Sequence, residues 1–111
     1  MLDPTGSALE KYMDLLAVRQ KTIASNIANA DTPGYKTRDI DFESEFRSAM
    51  NGPASSTEVP GLQIKNDGNN VNLDREARLL SENALRFNIA SQLMRGQLSQ
   101  MKMAIDEGKN G

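Results

Sequence analysis

"SNIANADTPGYKTRDIDFESEF", residues 25–46, decides how the rest of the chain is read. Its front half reads as the end of a helix. Pro33 biases Thr32 out of helical backbone, and Pro33-Gly34 suits the two central positions of a type II turn. The back half carries Asp39, Asp41 and Glu43 at alternate positions. Such a stretch is an active-site loop, a metal loop or a joint between two helices, and its surroundings decide which.

Upstream lies "SALEKYMDLLAVRQKTIASNIANA", residues 7–30. Ser7 followed by Glu10 matches a capping box. Leu9, Met13, Leu16, Gln20, Ile23, Ile27 and Ala30 recur at spacings of four and three, which predicts a helix over about 7–30. Downstream, Leu73, Ala77, Leu80, Ala84, Phe87, Ser91, Met94, Leu98, Met101 and Ile105 hold the same spacing. They predict a second helix over about 72–107, with Asn72 as its cap, Asp74 and Glu76 near its positive end and Gly108 as its stop. Leu79, Leu85, Ile89 and Leu93 lie beside this seam, so the apolar stripe is wider than a two-stranded coil requires.

Between the helices, "DFESEFRSAM" predicts a short helix capped by Asp41, with Phe42, Phe46 and Met50 on one face. "NGPASSTEVPGLQIKNDGNN" reads as a loop with a short strand at Leu62–Lys65. The expected fold is all-α. Two long heptad-patterned helices form a hairpin or coiled coil, joined by a loop-rich middle. The parts of this single domain are residues 1–31, 32–71 and 72–111.

Composition narrows the function. Hydrophobic residues make up 38% of the 111 residues, below the roughly 45–50% of ordinary globular domains. Fixing a residue's backbone costs roughly 1–2 kcal/mol, and burying a Leu-sized side chain returns roughly 1.5–3 kcal/mol. A striped helix left wet does not recover its ordering cost, so the ends are expected to order on assembly. The formal net charge of −2 comes from mixed acids and bases without a basic block, which disfavours nucleic acid. No apolar run is long enough to cross a membrane, and the first residues lack the pattern of a cleaved signal peptide.

The chain contains neither Cys nor His. That removes Cys nucleophiles, His bases, disulfides and the usual zinc ligands. Ser7, Ser25 and Thr32 have no such base beside them and read as capping and turn residues. Read as an EF-hand from Asp39, the sixth and twelfth positions are Ser44 and Met50; from Asp67 they are Asn72 and Arg78. Both lack the required Gly and Glu, so the acidic alternation reads as a solvated face. Met13, Met50, Met94, Met101 and Met103 read as seam filling rather than a promiscuous surface. Lys11, Arg19 and Lys21 interleave with Glu10 and Asp14, as on a solvated helix face. Asn26 and Asn29 stand one turn apart at the helix end, placed to tie the following turn back onto the helix.

"NIANADTPGYK" as a whole closely resembles the N-terminal signature of the bacterial flagellar axial proteins. That pattern is a heptad helix, Asn-x-x-Asn, then Thr-Pro-Gly-Tyr and a basic residue. It falls on Asn26, Ile27, Ala28, Asn29, Thr32, Pro33, Gly34, Tyr35 and Lys36. "TRDIDFESEF" and the C-terminal run are similar to the basal-body rod proteins, those of the proximal rod in particular. The resemblance covers residues 2–46 and 71–108.

It implies a structural subunit that serves flagellum-driven motility, with no catalytic residue, metal or cofactor. Such subunits are exported by the flagellar type III apparatus without a cleaved signal and assemble in the periplasm. Implied partners are other rod proteins, further copies of the chain, and the basal adaptor at the membrane ring and export gate. Nucleic acid and membrane insertion are not implied. The assembly interface then falls on Leu9, Met13, Leu16, Ile23, Ile27, Leu80, Phe87, Met94, Leu98, Met101 and Ile105. The alternative is a soluble helical adaptor or chaperone-like module whose stripe takes a client helix.

Overall fold

The computed structural model describes residues 4–48 and 56–110. Two long helices, α1 (Pro4–Ala28) and α3 (Leu73–Asn110), run antiparallel as a hairpin. Between them lie β1 (Arg38–Asp39), α2 (Phe42–Ser48) and β2 (Thr57–Glu58). The molecule is elongated, 70 × 26 × 17 Å. The fold is all-α, as the two heptad patterns predict.

Helix α1 starts at Pro4, not at a Ser7 cap. Proline has its φ preset for the first helical turn, and its missing N–H has no intrahelical partner there anyway. The short helix α2 forms as expected: Asp41 accepts from the Ser44 N–H at 3.4 Å. Its rings pack edge-on against Tyr12, with centroids 5.2 Å away for Phe42 and 6.2 Å for Phe46. Met50 lies outside the described residues.

Asn72 caps α3, accepting from the Arg75 N–H at 3.0 Å. Gly108 does not stop it; the helix runs on to Asn110, and Gly108 does not take the positive φ of a glycine cap.

The strand expected at Leu62–Lys65 is absent. The Lys65 N–H and C=O close a turn with Asn69 and Gly68, at 2.8 and 2.9 Å, so neither is left for a ladder. The described pairing is β1 with β2, antiparallel, with Arg38 opposite Glu58 and Asp39 opposite Thr57.

The apolar core is small: Leu15, Leu16, Ile23, Ala30, Ile40, Val71, Leu79 and Ala90. Most of it sits where α1 ends and α3 begins, under the joint. Farther along, α3 faces α1 with Asn83 and Ala90. The Asn83 amide donates to the Leu16 carbonyl and the Gln20 side chain, each at 3.0 Å.

Candidate functional site

The joint is an elbow built by four backbone turns and held by side-chain amides. Thr32–Tyr35 forms the predicted type II turn. Tyr35 N–H donates to the Thr32 carbonyl at 3.2 Å, and Gly34 has φ +77°, close to the ideal third position.

Asn26 is 1% exposed and reads the chain that leaves this turn. Its Nδ2 donates to the Arg38 carbonyl at 2.8 Å, and its Oδ1 accepts from the Arg38 N–H and the Tyr35 hydroxyl, each at 3.1 Å. Asn29 donates to the Ser25 carbonyl at 2.8 Å and accepts from the Thr32 hydroxyl at 3.0 Å. The amide pair thus ties the turn onto α1, the chemistry expected of Asn at a helix end.

A second layer comes from residues 65–71. The fully buried Asn69 donates to the Asn29 and Thr32 carbonyls, each at 2.8 Å, and accepts from the Val71 N–H at 2.8 Å. Lys65 donates to the Ala30 carbonyl at 3.3 Å. The Asn29, Ala30 and Thr32 carbonyls, just past the end of α1, are therefore bonded by a segment 35 to 40 residues away. Asn70 accepts from the Thr37 N–H at 2.6 Å. Gly34 N–H donates to the Asp67 carbonyl at 2.8 Å, and Lys36 donates to the Gly68 carbonyl.

Beneath lies a charged cluster. Asp39 holds Arg19 of α1 through two bonds of 3.1 Å and Arg75 of α3 through one of 3.0 Å. Arg75 also donates to Glu76 at 2.7 Å. Glu76 is fully buried, and its Oε2 has no partner among the described residues. Asp39 is therefore not part of a solvated face: two guanidinium groups saturate it and link both long helices to β1. Asp41 and Glu43 remain exposed. Among the described residues no acidic cluster is arranged to hold a metal ion. No helix there is long and apolar enough to cross a membrane.

Sequence reading missed Lys65, Asn69, Asn70, Arg75 and Glu76. The "NDGNN" run was the available signal: a turn glycine followed by amides that bond readily to backbone.

The predicted seam divides by exposure. Leu16 and Ile23 are buried; Leu9, Met13, Leu80, Met94 and Met101 are half-buried. Ile27, Phe87, Leu98 and Ile105 are exposed, at 37, 39, 50 and 56%. On the other flank of α3, Leu85, Ile89 and Leu93 are exposed as well. A two-helix hairpin with apolar stripes on both sides of α3 has the form of an assembling structural protein.

Relatives give that form a family. Residues 13–36, which span the elbow turn, match the family model described as flagella basal body rod protein. The chain is 32% identical to the flagellar basal body rod protein FlgB of Escherichia coli strain K12, covering 97% of this chain and 99% of that protein. For Salmonella typhimurium FlgB the identity is 34%, with the same coverage. For Borrelia hermsii FlgB it is 30%, over 86% of this chain and 90% of that one. The chain belongs to the flagellar basal body rod protein family.

Proposed function

We propose that this chain is a structural subunit of the proximal part of the flagellar basal-body rod. The observation that carries the reading is near-complete coverage of FlgB relatives by a hairpin that leaves its stripes exposed. Those stripes suit self-assembly with other axial proteins through Leu9, Met13, Leu16, Ile23, Ile27, Leu80, Phe87, Met94, Leu98, Met101 and Ile105. The elbow at Asn26–Tyr35 sets the angle at which the middle region leaves the paired helices, and the three segments act as one structural domain.

On this reading the chain is exported to the periplasm without a cleaved signal. It meets the other rod proteins and the basal adaptor at the export gate, and it has no catalytic task. Mass spectrometry of purified hook–basal bodies tests it. The chain is expected to remain after the outer filament is stripped. Its absence there, with abundance in the cytosol, would refute the rod reading and favour a soluble adaptor.

A further inference from the structure

Two surfaces of the hairpin lack a partner among the described residues, and they match each other. The first is a groove of about 630 Å³ along one side, floored by Leu16 and Ala17 of α1 and Ala84 and Phe87 of α3. Its alanines leave a trough in which a third helix can settle. Lys21 stands at the elbow end and Arg95 at the open end. Both are exposed, and neither has an ion-pair partner among the described residues.

The second surface is the end of α3. The Asn83–Leu16 and Arg86–Tyr12 hydrogen bonds set the antiparallel register. Carried along both helices, that register puts Pro4 level with Arg95. Past this level α3 has no described helix beside it. Leu98 and Ile105 are 50 and 56% exposed there, with Met101 between them on the same stripe, and Asp106 and Glu107 follow at once.

We infer that the free protein forms a two-fold antiparallel dimer, in which residues 98–107 of each copy lie in the groove of the other. The lengths agree: the tail spans about 14 Å and the groove from Asn83 to Arg95 about 18 Å. With the tail antiparallel to the other copy's α3, the hairpins abut by their open ends. Asp106 and Glu107 then arrive level with Leu16 and Ala17 of the other copy, about 8 Å along the axis from Lys21 and within reach of its long side chain. A parallel head-to-tail arrangement would bring the acidic pair to Arg95, but would lay one hairpin across the other's elbow. A two-fold contact is made twice, so two short apolar contacts act together, while the rim charges fix the direction of the tail. The pairing covers stripes that assembly needs and must open before the subunit is incorporated. It concerns the free protein and stands whether or not the rod reading does.

The chain has no Cys, so placed thiols report the geometry directly. The Ala17→Cys/Glu107→Cys variant, oxidised, is expected to give a closed dimer. Each single-Cys variant should stay uncrosslinked, because like positions lie about 40 Å apart in this dimer. Adding Ala84→Arg should lower the crosslinked yield roughly tenfold, the effect of filling the trough with a charge, with helix content unchanged by circular dichroism. Sedimentation of the unmodified chain should show a concentration-dependent dimer. Single-Cys variants that crosslink equally well would overturn the inference. So would a ladder of larger species, an Ala84→Arg variant with full yield, or a chain that stays monomeric at millimolar concentration.

Discussion

The side chain of Asn26 pairs with the backbone of Arg38 as a neighbouring strand would, donating to its carbonyl at 2.8 Å and accepting from its N–H at 3.1 Å. One carboxamide satisfies both backbone groups of a residue that has just left a tight turn. Asp in its place keeps the acceptor and loses the donor. Asn26→Asp should therefore destabilise the fold by about 1–3 kcal/mol, the cost of an unsatisfied buried carbonyl. Urea unfolding followed by circular dichroism measures it, and a loss below about 0.5 kcal/mol would show that the pairing is dispensable.

Asn69 carries more of the elbow than its place in a polar loop suggests, because it is fully buried and touches three backbone groups. Asn69→Ala should cost at least as much as Asn26→Asp, about 2–3 kcal/mol. Amide exchange should rise first in the turn over residues 29–35, whose carbonyls it holds.

Asp39 bridges Arg19 and Arg75 with all three side chains largely buried, at 13, 18 and 17% exposure. Removing its charge leaves Arg19 without a carboxylate and Arg75 with Glu76 alone, so Asp39→Asn should destabilise by about 1–3 kcal/mol. Glu43 and Arg47 form a short ion pair in open water, about three-quarters exposed. Glu43→Gln should change stability by less than about 0.5 kcal/mol. The two variants measured together in urea separate a buried cluster from a surface contact.

Pro33→Ala with Gly34→Val attacks the turn itself. A β-branched residue resists the φ of +77° that Gly34 adopts. The double variant should keep most of its helix content, since both long helices lie outside the turn, yet lose swimming motility in cells that depend on this subunit. Normal motility with the altered turn would separate the elbow from assembly.

The two long helices were legible because their apolar residues recur at helical spacing, and the elbow turn because only Pro-Gly chemistry fits it. The caps at Asp41 and Asn72 followed from side chains that bond to nearby N–H groups. The docking of residues 65–70 onto the turn left no periodic trace, since polar contacts between distant segments have no period. Nor did spacing show which stripe of α3 meets α1. Ala77 and Ala84 of the apolar series stay exposed, whereas the residues one position earlier, Glu76 and Asn83, are buried by particular hydrogen bonds. Two-residue strands such as β1 and β2 are too short for alternation to register.

Leu98→Ala and Ile105→Ala should leave stability within about 0.5 kcal/mol of the parent, because both side chains are already half in water. Leu16→Ala empties a site that is 0% exposed and should cost about 2–5 kcal/mol. If the first two variants abolish incorporation into basal bodies while the fold survives, the stripe serves neighbours rather than the hairpin.

Because the core lies at the elbow while the open end holds few buried groups, a pull applied between the two termini loads the hairpin as a zipper. Rupture begins at Pro4 and advances turn by turn at low force. It then meets the Asp39 cluster and the amide-bound turn together, where several bonds must fail at once. In a force–extension trace the molecule should give a gradual yield followed by one sharp event.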